Sequence, residues 1–332
     1  DLQGIHTLPE LAEVKATVVR VTREDGWAVL NADDPLVAAM SRRVRANVAM
    51  FSLGEGSGGA AAVRRTLAAG GRAYVLRGDW LVEIDASGSG DEPVEHRIVE
   101  VDRVPIALGG LARHNVANAL AAAGAARGLG ITLAQLRDGL TDFQPTSDRS
   151  PGRLNLFRVG SRIVIVDFAH NEAGVNAVLD VAEGIAGGAA GRTAPVTAII
   201  GTAGDRPDDT LRGIGRIAAK RAQRVAIKET LKYLRGRSRD SIVGEIMAGV
   251  VASGRSATDV PIYDSETAAL RAELARNGEG MAKPDSPRVI VLMCHEERDE
   301  VFAMLAELGG RPIDISTELT TLIPRLQGRP RR

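Results

Sequence analysis

The apolar positions divide the chain into two rhythms. Before residue 143, short runs of different kinds follow one another. "WAVLNADDP" closes an apolar run with Asn31, Asp33, Asp34 and Pro35, which predicts a strand ending in a turn. "LVAAMSRRV" predicts a short helix and "NVAMFSL" a buried strand. "AYVLRGDWLVEI" alternates on both sides of Arg77-Gly78-Asp79, as a hairpin does. Residues 11–21 read as a helix running into a strand, and 97–104 as a further strand. "LARHNVANALAAAGAARGLG" is an alanine-rich helix stopped by Gly128 and Gly130. Thr132 and Gln135 then form a capping-box pattern for "TLAQLRDGL".

Residues 143–151, with two prolines among small polar residues, predict a linker. Beyond it the rhythm changes. Continuous apolar strands at 163–168, 196–200, 224–227 and 289–293 alternate with helices at 174–186, 211–222 and 238–252. That pattern predicts an α/β fold with a parallel sheet.

Composition narrows the function classes. A length of 332 residues suggests two domains, and 44% hydrophobic with 25% charged residues is the make-up of a soluble globular chain. A formal net charge of zero gives no global electrostatic case for nucleic acid, and 3% aromatics offer no stacking platform. No apolar run approaches the length that crosses a bilayer. The one cysteine, Cys294, excludes an internal disulfide and fits a reducing, cytoplasmic compartment.

In open α/β sheets, ligands gather at the carboxyl ends of strands. "IVIVDFAHN" places Asp167, His170 and Asn171 at such an end. An unpaired buried carboxylate costs several kcal/mol, so Asp167 needs a partner or a cleft facing a ribose or a cation. Simple capping of the next helix by Asp and Asn explains the same pattern. "GTAGDRPDD" ends another strand in a glycine turn whose N–H groups favour anions, or which is merely tight. Asn115 and Asn118, three apart, share a helix face and could read a base edge, with His114 beside them; a helix cap is the alternative. Arg153 could reach a phosphate or stay solvated. Lys15 sits among apolar residues in a chain with only five lysines, where a snorkelling lysine is the common case. Cys294-His295-Glu296 lacks the further spacing of a metal site. "GEGSGG" at 54–59 reads as a flexible loop. It is no phosphate loop, because the chain has no Gly-Lys pair.

"LPELAEVK", "AVLNADDPLVAAM", "RHNVANALAAAGAA", "PGRLNLF", "VDFAHNEAG", "GTAGDRPDD" and "IKETLKYLRGR" follow in this order across nearly the whole chain. As an ordered set they resemble the Mur ligase family. The likeness is nearest to the carboxyl-terminal half of the branch that joins arginine to aspartate side chains of a peptide-like polymer. The resemblance implies an α/β chain. The later half of a Mur ligase central ATPase domain would occupy 1–145, and a Rossmann-like parallel α/β carboxyl-terminal domain 150–332.

It also implies ATP-dependent amide formation through an acyl phosphate. ATP and Mg²⁺ would be the cofactors, and an amino acid and a peptide-like polymer the partners. It implies no nucleic-acid or membrane partner, and it allows a homo-oligomer. Asp167 would hold the ATP ribose, and His170 and Asn171 would line the reaction site as catalytic residues. Arg153 would approach ribose or phosphate. Asn115 and Asn118 would contact adenine, with His114 nearby. Lys15 matches the lysine that the family carbamylates, which makes it both a catalytic residue and a Mg²⁺ ligand, since a carbamate is an anionic oxygen donor. Phe168 stands for the family's usual Tyr, and Glu172 for its usual Pro. The family's Gly-Lys-Thr phosphate loop and an Asp-His metal pair are expected upstream of Asp1. A substrate arginine needs carboxylates for its five fixed donors. Asp205, Asp208, Asp209 and Glu229 could supply them, or be ordinary solvated acids. The rival readings are a cell-wall or folylpolyglutamate-type ligase and a non-catalytic nucleotide-binding module.

Overall fold

In the computed structural model, which describes residues 4–54, 56, 58–88, 92–187, 194–276 and 288–323, several helices start where a side chain takes up unpaired backbone N–H groups. Thr7 and Glu10 form a capping box for α1 (Leu8–Arg20). The strand expected at the end of residues 11–21 does not form; the Val21 N–H still bonds the Thr17 carbonyl at 3.1 Å, helix fashion. β-Branched residues disfavour a helix by only a few tenths of a kcal/mol each, and the cap and packing override them.

The chain divides into two units, Asp1–Phe143 and Gln144–Arg332. In the first, β1 (Trp27–Asn31) leads through α2 (Pro35–Ala39), capped by Asp34, to β2 (Asn47–Ser52). α3 (Ala60–Ala68) carries the chain to β3 (Arg72–Arg77), and these three strands run parallel. β4 (Trp80–Asp85) and β5 (Val94–Glu100) return antiparallel, giving the order β1-β2-β3-β4-β5. The predicted hairpin forms with a two-residue Gly78-Asp79 turn. β5 stops at Glu100, short of 104, because Val101–Arg103 form a 3₁₀ turn. α4 (Arg113–Gly128) and α5 (Leu133–Asp142) follow, and the Thr132–Gln135 capping box forms as read. Alternate strand residues feed two cores. Tyr74 and Leu81 pack with Val116, Leu120 and Leu136, while Ala73, Val75 and Val82 pack with Met50 and Val63. Within the loop 54–59, residues 55 and 57 lie outside the described residues. Gly54 has φ +92°, and a Cβ there would lie 2.1 Å from the Leu76 carbonyl oxygen, so packing against β3 requires that glycine.

The second unit departs from the all-parallel expectation. β6 (Asn155–Val159) and β7 (Arg162–Asp167) form an antiparallel hairpin through Gly160-Ser161. From β7 onward the elements alternate. α6 (Glu172–Ala186), β8 (Val196–Ile200), α7 (Asp208–Arg221), β9 (Arg224–Lys228) and α8 (Arg239–Val251) come first. β10 (Ile262–Tyr263), α9 (Glu266–Ala275), β11 (Arg288–Met293) and α10 (Arg298–Glu307) follow. β12 (Arg311–Pro312) and α11 (Ile315–Leu322) come last. The sheet order is β10-β9-β8-β11-β7-β6-β12, parallel from β10 to β7 and antiparallel beyond. β6 was hidden because "RLNLF" abuts the predicted linker; its turn signal, a glycine with φ +57° at Gly160, lay in plain view.

α7 and α8 touch backbone to backbone. A Cβ on Gly249 would lie 1.9 Å from the Arg212 carbonyl oxygen, and one on Gly215 would lie 2.0 Å from that of Ile246. Gly249→Ala is therefore expected to destabilise the protein by about 1–3 kcal/mol, the usual cost of overpacking. Gly244→Ala, on the same helix with open space around it, is expected to be neutral or to stabilise by up to about 1 kcal/mol. Urea midpoints at constant m-value check both.

Candidate functional site

Strand β7 delivers Asp167 to its carboxyl end beside β11, and the Cys294 N–H bonds the Asp167 carbonyl at 2.8 Å. The Asp167 carboxylate is half-buried and accepts the Leu154 N–H at 2.9 Å. Leu154 is buried with φ +52°, a left-handed conformation that costs a leucine about 1–2 kcal/mol. The carboxylate thus holds a strained turn directly after Gly152-Arg153. Arg153 is exposed and stacks its guanidinium over the Phe168 ring, 5.1 Å from the centroid. Phe168 packs edge-on against His295 at 5.0 Å and tilts against His170 at 5.4 Å.

The bland reading of the loop after β7 holds in part. Asn171 caps α6, its side-chain oxygen accepting the Gly174 N–H at 2.8 Å. The His170 ring turns back to the Phe168 carbonyl, Nδ1 to oxygen 3.0 Å. The His170 carbonyl accepts the Thr202 hydroxyl at 3.2 Å, which ties the β7 loop to the glycine turn after β8. Both side chains still stand at the ligand end of the sheet.

A polar cleft of about 450 Å³ opens at this end, between residues 151–153, Phe168, Tyr233 and the turn 294–300. Arg153 and Arg298 bring positive charge to it, and Arg298 lies against Gly152. Glu296 faces it while its carboxylate accepts three backbone N–H groups, from Leu231 (3.1 Å), Lys232 (2.5 Å) and Tyr233 (3.1 Å). Burial pushes the Glu296 carboxyl above the ordinary value, against the pull of those N–H groups.

Beneath the cleft lies a cluster that sequence reading missed. Lys228 and Glu266, with side chains 0% and 1% exposed, form an ion pair of 2.6 Å, and His295 joins Lys228 at 2.9 Å. Burial, and then the Lys228 ammonium, hold the His295 imidazole well below its usual range. Burial alone would raise Glu266, but the Lys228 charge and the hydrogen bonds from Cys294 and the Glu297 N–H outweigh it and lower the carboxyl. The advance signals were an apolar strand, "RVAIK", that ends in a lysine, and Cys294-His295-Glu296, weighed above only as a metal site. Nothing in "DSETAAL" marks Glu266 as buried.

Both shifts favour the folded state above the ordinary values and lose that favour as pH falls. For His295 the loss begins near its ordinary value of 6.5, because the unfolded imidazole takes a proton that the folded one refuses. Glu266 adds to the loss below 4.5. Urea stability is expected to decline as pH drops from about 6.5, and His295→Gln is expected to flatten the decline between 6.5 and 4.5. Lys228, Glu266 and His170 are the charged and titratable groups acting on His295.

The other expected site residues lie in the first unit. Lys15 is exposed on α1, beside the exposed Leu8, Leu11, Val14 and Val18. Asn115 is inside the first turn of α4 rather than at its cap, which is Ala112. Its amide donates to the Ile106 carbonyl at 3.0 Å, and the Asn118 amide donates to the Asn115 side-chain oxygen at 3.2 Å. His114 is half-buried on the same turn. Among the described residues no group of three or more His, Cys, Asp or Glu side chains could hold a metal. Mg²⁺ commonly takes only one or two carboxylates and completes its shell with phosphate oxygens and water. A single modified lysine on an exposed helix is compatible with that habit. The four acids that could meet a substrate guanidinium are each already paired. Asp205 meets Arg206 at 3.7 Å, Asp208 meets Arg237 at 2.6 Å, Asp209 meets Arg212 at 3.5 Å, and Glu229 meets Arg239. Among the described residues no helix is long and apolar enough to cross a membrane.

Comparison with known proteins shows the family and the fold. Residues 2–126 match the Mur ligase middle domain. The chain is 34% identical over 279 residues to the cyanophycin synthetase of Crocosphaera subtropica, covering 84% of this chain and 30% of that protein. It is 32% identical over 294 residues to the UDP-N-acetylmuramoyl-L-alanyl-D-glutamate--2,6-diaminopimelate ligase of Alkalilimnicola ehrlichii, covering 87% of this chain and 49% of that protein. The fold is similar to that of Mycobacterium tuberculosis folylpolyglutamate synthase, solved in complex with ADP (TM-score 0.55, 19% identity, 94% of this chain and 61% of that one). The chain thus spans about 30% of the length of the cyanophycin synthetase it matches. Ordered motifs, two α/β units and these likenesses together make the chain a member of the Mur ligase family.

Proposed function

We propose that this chain is part of an ATP-dependent carbon–nitrogen ligase that joins an amino acid to a peptide-like polymer through an acyl phosphate. The observation that carries the reading is the cleft at the carboxyl ends of β7 and β11. Phe168 lines it from the loop that also carries Asp167, His170 and Asn171, and Arg153 stacks on the Phe168 ring. In this reading residues 1–145 are the later part of a Mur ligase central domain, and 150–332 its carboxyl-terminal domain.

Each residue has a task suited to its chemistry. Asp167 accepts a ribose hydroxyl, and Arg153 neutralises phosphate oxygens. Asn115 and Asn118 offer amides to adenine, with His114 beside them. His170 and Asn171 line the space in which the amine approaches, and the fixed loop orients the partners. Lys15, once carbamylated, supplies an anionic ligand for Mg²⁺. When bound, the cation offsets the charge of the transferring phosphoryl group. The similarity to cyanophycin synthetases favours arginine as the amino acid and aspartate side chains as the acceptor.

The isolated chain is expected to bind ATP weakly and not to turn it over, because it has no Gly-Lys pair to cradle the phosphates. Calorimetry and phosphate release check this; robust hydrolysis by the chain alone would contradict it. In a longer protein that carries the phosphate loop, phosphate release should require ATP, Mg²⁺, an aspartate-bearing primer and arginine together. Turnover with diaminopimelate or glutamate, and none with arginine, would move the assignment to the cell-wall or folate branch.

A further inference from the structure

Strand β9 ends by turning Lys228 into the protein rather than out of it. An ammonium has three N–H donors and no acceptor. Lys228 finds three acceptors, Glu266 Oε1 at 2.6 Å, His295 Nδ1 at 2.9 Å and Thr230 Oγ1 at 3.3 Å. Because the lysine can only donate, Nδ1 of His295 must carry the lone pair. The proton then sits on Nε2, which points at the Ala169 carbonyl oxygen at 3.0 Å. Ala169 is the middle of the loop after β7.

Glu266 holds the backbone that carries the ring. As the first residue of α9, it accepts the N–H groups of His295 (2.5 Å), Glu296 (3.2 Å) and Glu297 (2.8 Å), and the Cys294 thiol at 3.0 Å. One buried pair therefore joins the ends of β9 and β11 to the loop after β7. The His295 ring then supports the Phe168 ring edge-on, and Phe168 carries the Arg153 guanidinium. A buried ion pair is seldom the most stable filling for such a space; apolar side chains of equal volume often do as well or better. Its directional bonds are what apolar side chains cannot replace.

We propose that the Lys228–Glu266 pair positions the cleft: it fixes His295 as the Nε2–H tautomer, and His295 sets the Phe168–Ala169 backbone and the stance of Arg153. The step from the cleft to nucleotide rests on the function proposed above; the steps before it do not.

The test uses the whole chain labelled with ¹⁵N. Long-range proton–nitrogen NMR of His295 should show Nε2 protonated and Nδ1 bare at neutral pH. An Nδ1–H tautomer or an imidazolium there would overturn the proposal without any variant. In Lys228→Met the tautomer should shift or become mixed, and the Arg153 Nε–H and the Ala169 and His170 amide resonances should move. A lower melting temperature with all these signals unmoved would reduce the pair to a structural role and refute positioning. Should Lys228→Met not fold, His295→Phe keeps a ring against Phe168 but cannot bond Ala169. It should move the same amide signals, and unmoved amides would count against the proposal. Calorimetry with ATP supplies a separate arm, with affinity expected to fall about tenfold in either variant. If the unmodified chain binds no ATP, the nucleotide reading fails while the NMR outcome still decides the positioning role.

Discussion

Glu266→Ala is expected to destabilise the protein by about 3–5 kcal/mol, a larger loss than that expected of Gly249→Ala. The loss comes from what is left behind rather than from the attraction removed. Lys228 would keep its ammonium in a site where its side chain is 0% exposed, with Thr230 and a neutral histidine as its remaining partners. Three backbone N–H groups and a thiol would lose their acceptor together. The companion Lys228→Met should cost less, because Glu266 retains those donors and a methionine fills the space. The double change Lys228→Met with Glu266→Leu should recover much of the single-variant loss. Denaturant melts of these proteins together with Glu266→Leu alone complete a double-mutant cycle. Equal, additive and small effects would show that water reaches the pair and that burial is not what makes it costly to break.

Lys15→Ala is expected to lower ligation by at least about 100-fold in a longer protein that carries the phosphate loop. That is the rate equivalent of about 3 kcal/mol of lost charge stabilisation. Stability should change by no more than roughly 0.5 kcal/mol, because Lys15 is exposed on α1. The contrast between the two numbers is the point of the experiment, since an ordinary surface lysine would leave ligation untouched. Partial rescue by a short free carboxylate would favour the carbamate role. Full activity of Lys15→Ala would remove the lysine from the mechanism.

How much of the fold and the site was legible in the sequence depends on the range of the interaction concerned. Strand β8 falls where its apolar run predicted, and the Thr132–Gln135 cap formed, because both are written in adjacent residues. The loop at Asp167 was legible as a strand end with polar side chains. The hairpin partner β6 was not, although Gly160 marked the turn, because pairing depends on what a strand finds beside it. Helix α1 outran its predicted end since a capping box at one terminus outweighed β-branched residues at the other. Glu266 and Lys228 are 38 residues apart in the chain, and no periodicity reports that they meet. That Asp208 pairs with Arg237 was likewise not legible, since the two lie 29 residues apart.

The short strand β12 closes the sheet beside β6 with only two residues, Arg311 and Pro312. The Ile313 N–H points inward to the Leu156 carbonyl at 2.9 Å, so by strand alternation the nitrogen of Pro312 faces away from the sheet. A proline nitrogen has no hydrogen to offer. An unfamiliar strand approaching this border would meet a missing donor where it needs one, and a sheet built largely of apolar strands would not recruit a neighbour there. Replacing that proline with a valine would leave the fold its partner and give the border back its donor. The change would then be read in self-association on storage at high concentration, not in melting temperature.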